Sequence, residues 1–207
     1  GRITQLAETG YAQSGTSSQA SIRFSTDKGQ TWSQSIKVPQ WQGVNEAYLF
    51  RAGNGDLLAA CRTDVPKRLK GKTLDHYEGL GISISRDDGR TWSAVKKLYD
   101  YGRHHPSLVL MPNQDIVMTY VVRLGYVDDP NGFPQFGIEA VVSHDHGVTW
   151  DFDHRYLLHV WSGKRKDKTY WWPSSQATSS TLMRDGAILT AFGTGYRIKP
   201  GKDSPQA

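Results

Sequence analysis

Ser25-Thr26-Asp27-Lys28-Gly29-Gln30-Thr31-Trp32 reads Ser-x-Asp-x-Gly-x-Thr-Trp, and the same pattern returns at Ser85-Arg86-Asp87-Asp88-Gly89-Arg90-Thr91-Trp92 and Ser143-His144-Asp145-His146-Gly147-Val148-Thr149-Trp150. The copies start 60 and then 58 residues apart. Five fixed positions at a near-constant period mark a structural repeat. Asp is suited to accept backbone N–H hydrogen bonds in a turn, and Gly supplies a positive φ at no steric cost. Thr and Trp are then expected to re-enter a strand, with the indole packing between neighbouring sheets. Strand-like runs precede each copy, at residues 20–24, 81–84 and 138–142. The motif is therefore a hairpin turn, and its Asp and Trp are structural.

A second element alternates with the first. Residues 48–52 and 57–61 are apolar and flank Gly53-Asn54-Gly55-Asp56; residues 107–111 and 116–120 flank Pro112-Asn113-Gln114-Asp115; residues 181–183 and 187–192 flank Arg184-Asp185-Gly186. Each is a hairpin signal. No helix is expected. The unit is four antiparallel strands in about 60 residues, and radial repetition of four-stranded sheets makes a β-propeller. A β-sandwich has no reason to repeat its turn chemistry at a fixed period.

These repeats resemble the Asp-boxes, or BNR repeats, of the sialidase (neuraminidase) superfamily. The resemblance implies an all-β fold, a partial six-bladed β-propeller of about three and a half blades, with approximate blades at 1–40, 44–100, 104–160 and 172–207. Three and a half blades do not close a ring. The chain, which starts at Gly1, thus reads as a fragment of one propeller domain from a protein roughly twice as long, and the fragment by itself is expected to be inactive. The implied activity is that of a glycoside hydrolase of exo-α-sialidase type acting on an anionic glycan. The Tyr nucleophile and its Glu partner are expected beyond residue 207. Two further readings stand beside it: a polysaccharide lyase on the same scaffold, with His104 or His105 as base, and a non-catalytic protein that binds glycans or proteins. The resemblance suggests an extracellular or periplasmic location.

Composition bounds the rest. The 207 residues carry a net charge of +5, compatible with anionic partners and weak as a nucleic-acid signature. No apolar run is long enough for a membrane-spanning helix. A lone Cys61 excludes an intrachain disulfide framework and a thiolate zinc site. No cofactor or metal is expected; Asp128, Asp129 and Asn131 are first of all turn residues.

The hairpin and motif turns share one rim, so the second-to-third and blade-to-blade connections emerge at the other, where sites are usually built. Residues 62–78 hold Arg62, Asp64 and Asp75. Asp64 follows a second strand, as the acid/base Asp of sialidases does, and Asp75 is the reserve. Arg103-His104-His105-Pro106 resembles the sialidase Arg-Ile-Pro, one residue longer and with histidines in place of Ile; that Arg clamps the substrate carboxylate, a task suited to a guanidinium fork. Arg62, Arg103 and Arg123 are the candidate substrate arginines. His104 and His105 are candidate bases or sugar contacts. Trp171 and Trp172 either stack on a sugar ring or open a strand and pack between blades. Arg103, His104, His105 and Asp64 are expected to converge near the propeller axis, with Arg62 and Asp75 nearby.

Overall fold

A computed structural model describes residues 4–8, 17–69, 77–123, 136–161 and 177–193. Among these described residues thirteen strands make up four antiparallel sheets. The first holds β1 (Thr4–Glu8), β2 (Gln19–Ser25) and β3 (Ile36–Gln42). The second holds β4 (Val44–Arg51), β5 (Leu57–Thr63), β6 (Gly79–Ser85) and β7 (Lys96–Tyr99). The third holds β8 (Arg103–Leu110), β9 (Ile116–Val122), β10 (Phe136–Ser143) and β11 (Tyr156–Trp161). The fourth holds β12 (Thr178–Leu182) and β13 (Ile188–Phe192). Within each sheet spatial order follows chain order, as in a propeller blade. A 3-10 turn, Lys67–Leu69, lies in a segment expected to be loop.

The sheets stack face to face, and β5 shows how. All seven of its residues are buried. Because side chains alternate, Leu57, Ala59 and Cys61 face the first sheet, packing with Ala20, Ile22, Val38, Trp41 and Trp92. Leu58 and Ala60 face the third, packing with Leu108, Met118, Tyr120, Val141 and Trp150. A strand buried on both faces reads as a continuous apolar run, and Leu57-Leu58-Ala59-Ala60-Cys61 is one.

The three repeated turns are built alike. In each, the Ser hydroxyl donates to the Asp Oδ1 at 2.8–2.9 Å and accepts the Gly amide at 2.7–2.8 Å. The Asp accepts both the amide and the hydroxyl of the Thr, at 2.5–2.9 Å. The residue before the Gly and the Gly itself both have positive φ, the backbone of a type I′ hairpin turn. The Trp differs from expectation. It does not open the next strand, which begins four residues or more later. In the first two copies the indole folds back and donates to the Gly carbonyl. Trp92 and Trp150 are 6% and 8% exposed and pack between sheets, whereas Trp32 is 36% exposed.

The blade-to-blade connections are short: Gly43 alone lies between β3 and β4, and Asp100, Tyr101 and Gly102 lie between β7 and β8. Gly43 donates to the Ser18 carbonyl and accepts the Asp64 amide; Gly102 donates to the Glu78 carbonyl and accepts the Arg123 amide. These paired bonds stitch each sheet to the one before it.

Candidate functional site

The innermost strands β4, β8 and β12 meet at a hollow of about 190 Å³ on the rim opposite the Asp-bearing turns. Its wall includes Glu46 and Tyr48 from β4, Arg62 from β5, His105 and Pro106 from β8, and Thr178 from β12. Three sheets reach it together because it lies on the axis side of the arc.

Arg62 is the organising charge. It shares the parity of Leu58 and Ala60, so it points toward the third sheet. Its Nη1 donates to Glu46 Oε1 at 3.0 Å, and its Nε and Nη2 both engage Glu78 Oε2. Asn45 Nδ2 donates to the other oxygen of Glu78 at 3.0 Å. A forked guanidinium between two carboxylates suits a largely buried cation. Register places these groups: Glu46 lies directly opposite Arg62, after a shift in β4 between Val44 and Glu46.

A second register shift, in β8 between His104 and Ser107, places His105. Of the five non-glycine residues with positive φ among the described residues, four sit in tight turns; His105, at φ 53°, lies within a strand. It also precedes Pro106, a position that disfavours such backbone. The strain, about 1–3 kcal/mol, turns the imidazole toward β4, where Nδ1 lies 3.2 Å from Glu46 Oε2. Thr178 fixes the bulge from the fourth sheet by donating to the His105 carbonyl at 2.9 Å. Burial pushes the His105 pKa below the usual histidine range, with Arg62 and Arg123 adding to the shift and Glu46 opposing it.

The other expected residues lie elsewhere. Arg103 is 4% exposed, and its parity with Val122 turns it to the layer between the second and third sheets. There its Nε is 3.9 Å from Glu139 Oε2 and its guanidinium stands over the Tyr99 ring. His104, fully buried, packs tilted against the His105 ring, 4.5 Å between centroids and 58° between planes. Asp64 would share Arg62's face if β5 continued, but the strand ends at Thr63. Its carboxylate instead accepts the Ser18 amide at 2.8 Å. It lines a separate hollow of about 410 Å³ with Gln40, Gln42, Lys67 and Lys97, on the first-sheet side. The structure thus brings together Arg62 and His105, with Arg123 close enough to act on His105 electrostatically, and sets Asp64 and Arg103 apart from them. Asp75, Trp171 and Trp172, with Asp128, Asp129 and Asn131, lie outside the described residues.

Glu46, Glu78 and Asn45 were not singled out from sequence. The signal lay in comparing Gly43-Val44-Asn45-Glu46 with Gly102-Arg103-His104-His105: both begin an innermost strand after a positive-φ glycine, and both end on a residue of the hollow. Among the described residues no His, Cys, Asp and Glu group has the arrangement of a metal site, and no helix is long and apolar enough to cross a membrane.

No family model and no curated protein matches the chain. Solved structures do. A protein of unknown function from Dyadobacter fermentans is similar with a TM-score of 0.62 at 21% identity, over 98% of this chain and 47% of that one. An alpha-L-arabinanase from Penicillium chrysogenum, complexed with arabinobiose, gives 0.59 at 14% identity, over 91% and 53%. The intramolecular trans-sialidase from Ruminococcus gnavus, complexed with oseltamivir carboxylate, gives 0.57 at 16% identity, over 92% and 36%. The chain has a glycosidase-like propeller fold. At these identities the likeness is one of fold, and the chain spans about half the length of the first two proteins.

Proposed function

We propose that the full-length protein is a glycoside hydrolase of the sialidase-like class, and that the axial hollow of Glu46, Arg62 and His105 is part of its glycan site. The observation that carries this reading is the convergence of a carboxylate, a guanidinium and an imidazole where three innermost strands meet, with the Glu78 carboxylate backing the guanidinium. Hydrolysis of a glycosidic bond needs groups that give and take protons beside a sugar, and these residue types supply them. The repeated turns, read as Asp-boxes, support the same class, and exo-α-sialidase activity on an anionic terminal sugar is the finer form of the proposal. Arg62 is then a contact for the sugar carboxylate.

A second reading, an uncharged glycan, is favoured by one observation: the Arg62 fork is already matched by Glu46 and Glu78. A carboxylated sugar has to displace one of them. The arabinobiose-bound arabinanase among the similar structures fits this reading. Turnover of methylumbelliferyl sialoside and of nitrophenyl α-L-arabinofuranoside by the full-length protein separates the two. Sialoside turnover that falls at least tenfold in Arg62→Met supports the anionic substrate. Arabinofuranoside turnover alone supports the uncharged one. No turnover of either, with glycan binding retained, supports a binding protein instead.

A further inference from the structure

We propose that His105 is the proton acceptor of the axial hollow and that Glu46 is the positioning residue that holds its imidazole protonated at Nδ1. The use of this pair on a sugar rests on the glycosidase reading; the pair itself does not.

The geometry comes first. The bulge places His105 in a backbone conformation that L residues adopt at a cost, inside a strand and ahead of a proline, and the position persists because the Thr178 hydroxyl holds the carbonyl from the fourth sheet. A strand needing only a core side chain has no reason to be built this way; bulges recur where a side chain is re-aimed at a site. The side chain so aimed lines the hollow, and among the described residues Glu46 is its hydrogen-bonding partner. A carboxylate oxygen only accepts, so Nδ1 carries the hydrogen and Nε2 carries the lone pair.

Glu46 is held in turn. Its other oxygen takes the Arg62 Nη1 hydrogen, Arg62 is clamped by Glu78, and Glu78 by Asn45. The chain therefore runs from the Asn45 amide through two carboxylates and one guanidinium to a single ring nitrogen. Such support keeps a reacting group in one orientation. The charged groups acting on His105 are Glu46 on β4, Arg62 on β5 and Arg123 after β9. With burial, the two cations favour the neutral ring, and Glu46 steadies the imidazolium once it forms.

The step is a proton transfer. A water or sugar hydroxyl in the hollow loses its hydrogen ion to Nε2, its oxygen keeps the electron pair, and the ring becomes imidazolium with Nδ1–H still on Glu46. Nothing is oxidised or reduced.

His105→Gly is the informative variant, because glycine adopts φ near +53° without strain and the fold is kept. In the full-length protein its kcat on the substrate turned over by the wild type should fall about a hundred- to ten-thousand-fold, with no loss of melting temperature, and added imidazole should restore part of it. Glu46→Gln should move the acid limb of the kcat/KM profile to lower pH, since it removes the group that raises the His105 pKa. Heteronuclear NMR of the imidazole nitrogens supplies a readout apart from turnover: His105 should be neutral at pH 7 with hydrogen on Nδ1, and its titration should shift down in Glu46→Gln. Hydrogen on Nε2, or a titration that ignores Glu46→Gln, overturns the pair whatever the substrate. A correct tautomer in a protein that turns over neither glycoside overturns the glycosidase reading and leaves the pair standing. Kinetics of His105→Gly within threefold of wild type, or a loss that imidazole does not rescue, overturns the role as proton acceptor.

Discussion

Thr31 and Thr91 each give a turn aspartate two hydrogen bonds, from hydroxyl and amide, and these bonds hold the carboxyl groups of Asp27 and Asp87 down at about 2. Unfolded, the same groups titrate near 3.8. A carboxyl whose folded pKa is depressed stabilises the fold above its unfolded value, and that stability is lost as pH falls through the folded one. The turns therefore weaken between about pH 4 and pH 2. In Asp87→Asn the melting temperature should drop at pH 7, and the decline between pH 4 and pH 2 should be shallower than in the wild type. Circular-dichroism melts across that range check it; an unchanged acid slope sinks the assignment. Asp145 has the same partners, and although burial opposes them its carboxyl is also held below the usual range.

At the scale of the element, the third turn differs from the first in what lies beneath it. A Cβ at Gly147 would come within 2.1 Å of Leu58 Cδ2, in the packed layer between the second and third sheets, while at Gly29 the nearest atom is a Trp32 ring carbon at 3.6 Å. Both glycines have φ near +90°, so Ala at either meets left-handed strain of about 1–2 kcal/mol. Gly147→Ala adds overpacking of about 1–3 kcal/mol. Urea unfolding should rank Gly147→Ala well below Gly29→Ala, and equal losses would refute the wedge. Turns and hairpins such as these were legible in the sequence because their chemistry is local: Asp, Gly and Thr satisfy one another within eight residues. The hollow was less so. Glu46 and His105 reach it through shifts in register, and a shift depends on which residue lies across the ladder. Arg103 illustrates the cost. Its position before an innermost strand was readable, but its aim toward Glu139 follows from pairing with Val122 across β9. Asp64 turns to Ser18 because β5 stops at Thr63, an end the apolar run does not mark.

Across the whole molecule, the second and third sheets are joined by a polar insert in an apolar layer. Tyr99 from one and Tyr120 from the other share a hydrogen bond of 2.8 Å, and Glu139, fully buried, lies beside Tyr120 and Arg103. Burial pushes the Glu139 carboxyl up, against the opposing pull of Arg103 and the Tyr120 hydroxyl. A group whose folded pKa is raised gives stability that is present below its unfolded value and lost as pH rises toward the folded one. Glu139→Gln removes that loss, so its melting temperature relative to wild type should improve from pH 4 to pH 7. A gap that does not change with pH would mean that folding does not raise the Glu139 pKa, and a gap that widens toward pH 7 would mean that Glu139 stays charged in the fold. On the function proposed above, the axial hollow, rather than either seam between sheets, receives the glycan. The most direct measurement is a crystal structure of the full-length protein soaked with the glycoside it turns over, or with the free sugar. The sugar should lie within hydrogen-bonding distance of Arg62 and His105, where β4, β8 and β12 meet. A sugar held instead by Asp64, Lys67 and Lys97 between the first two sheets, or seated on the rim of the Asp-bearing turns, would contradict it.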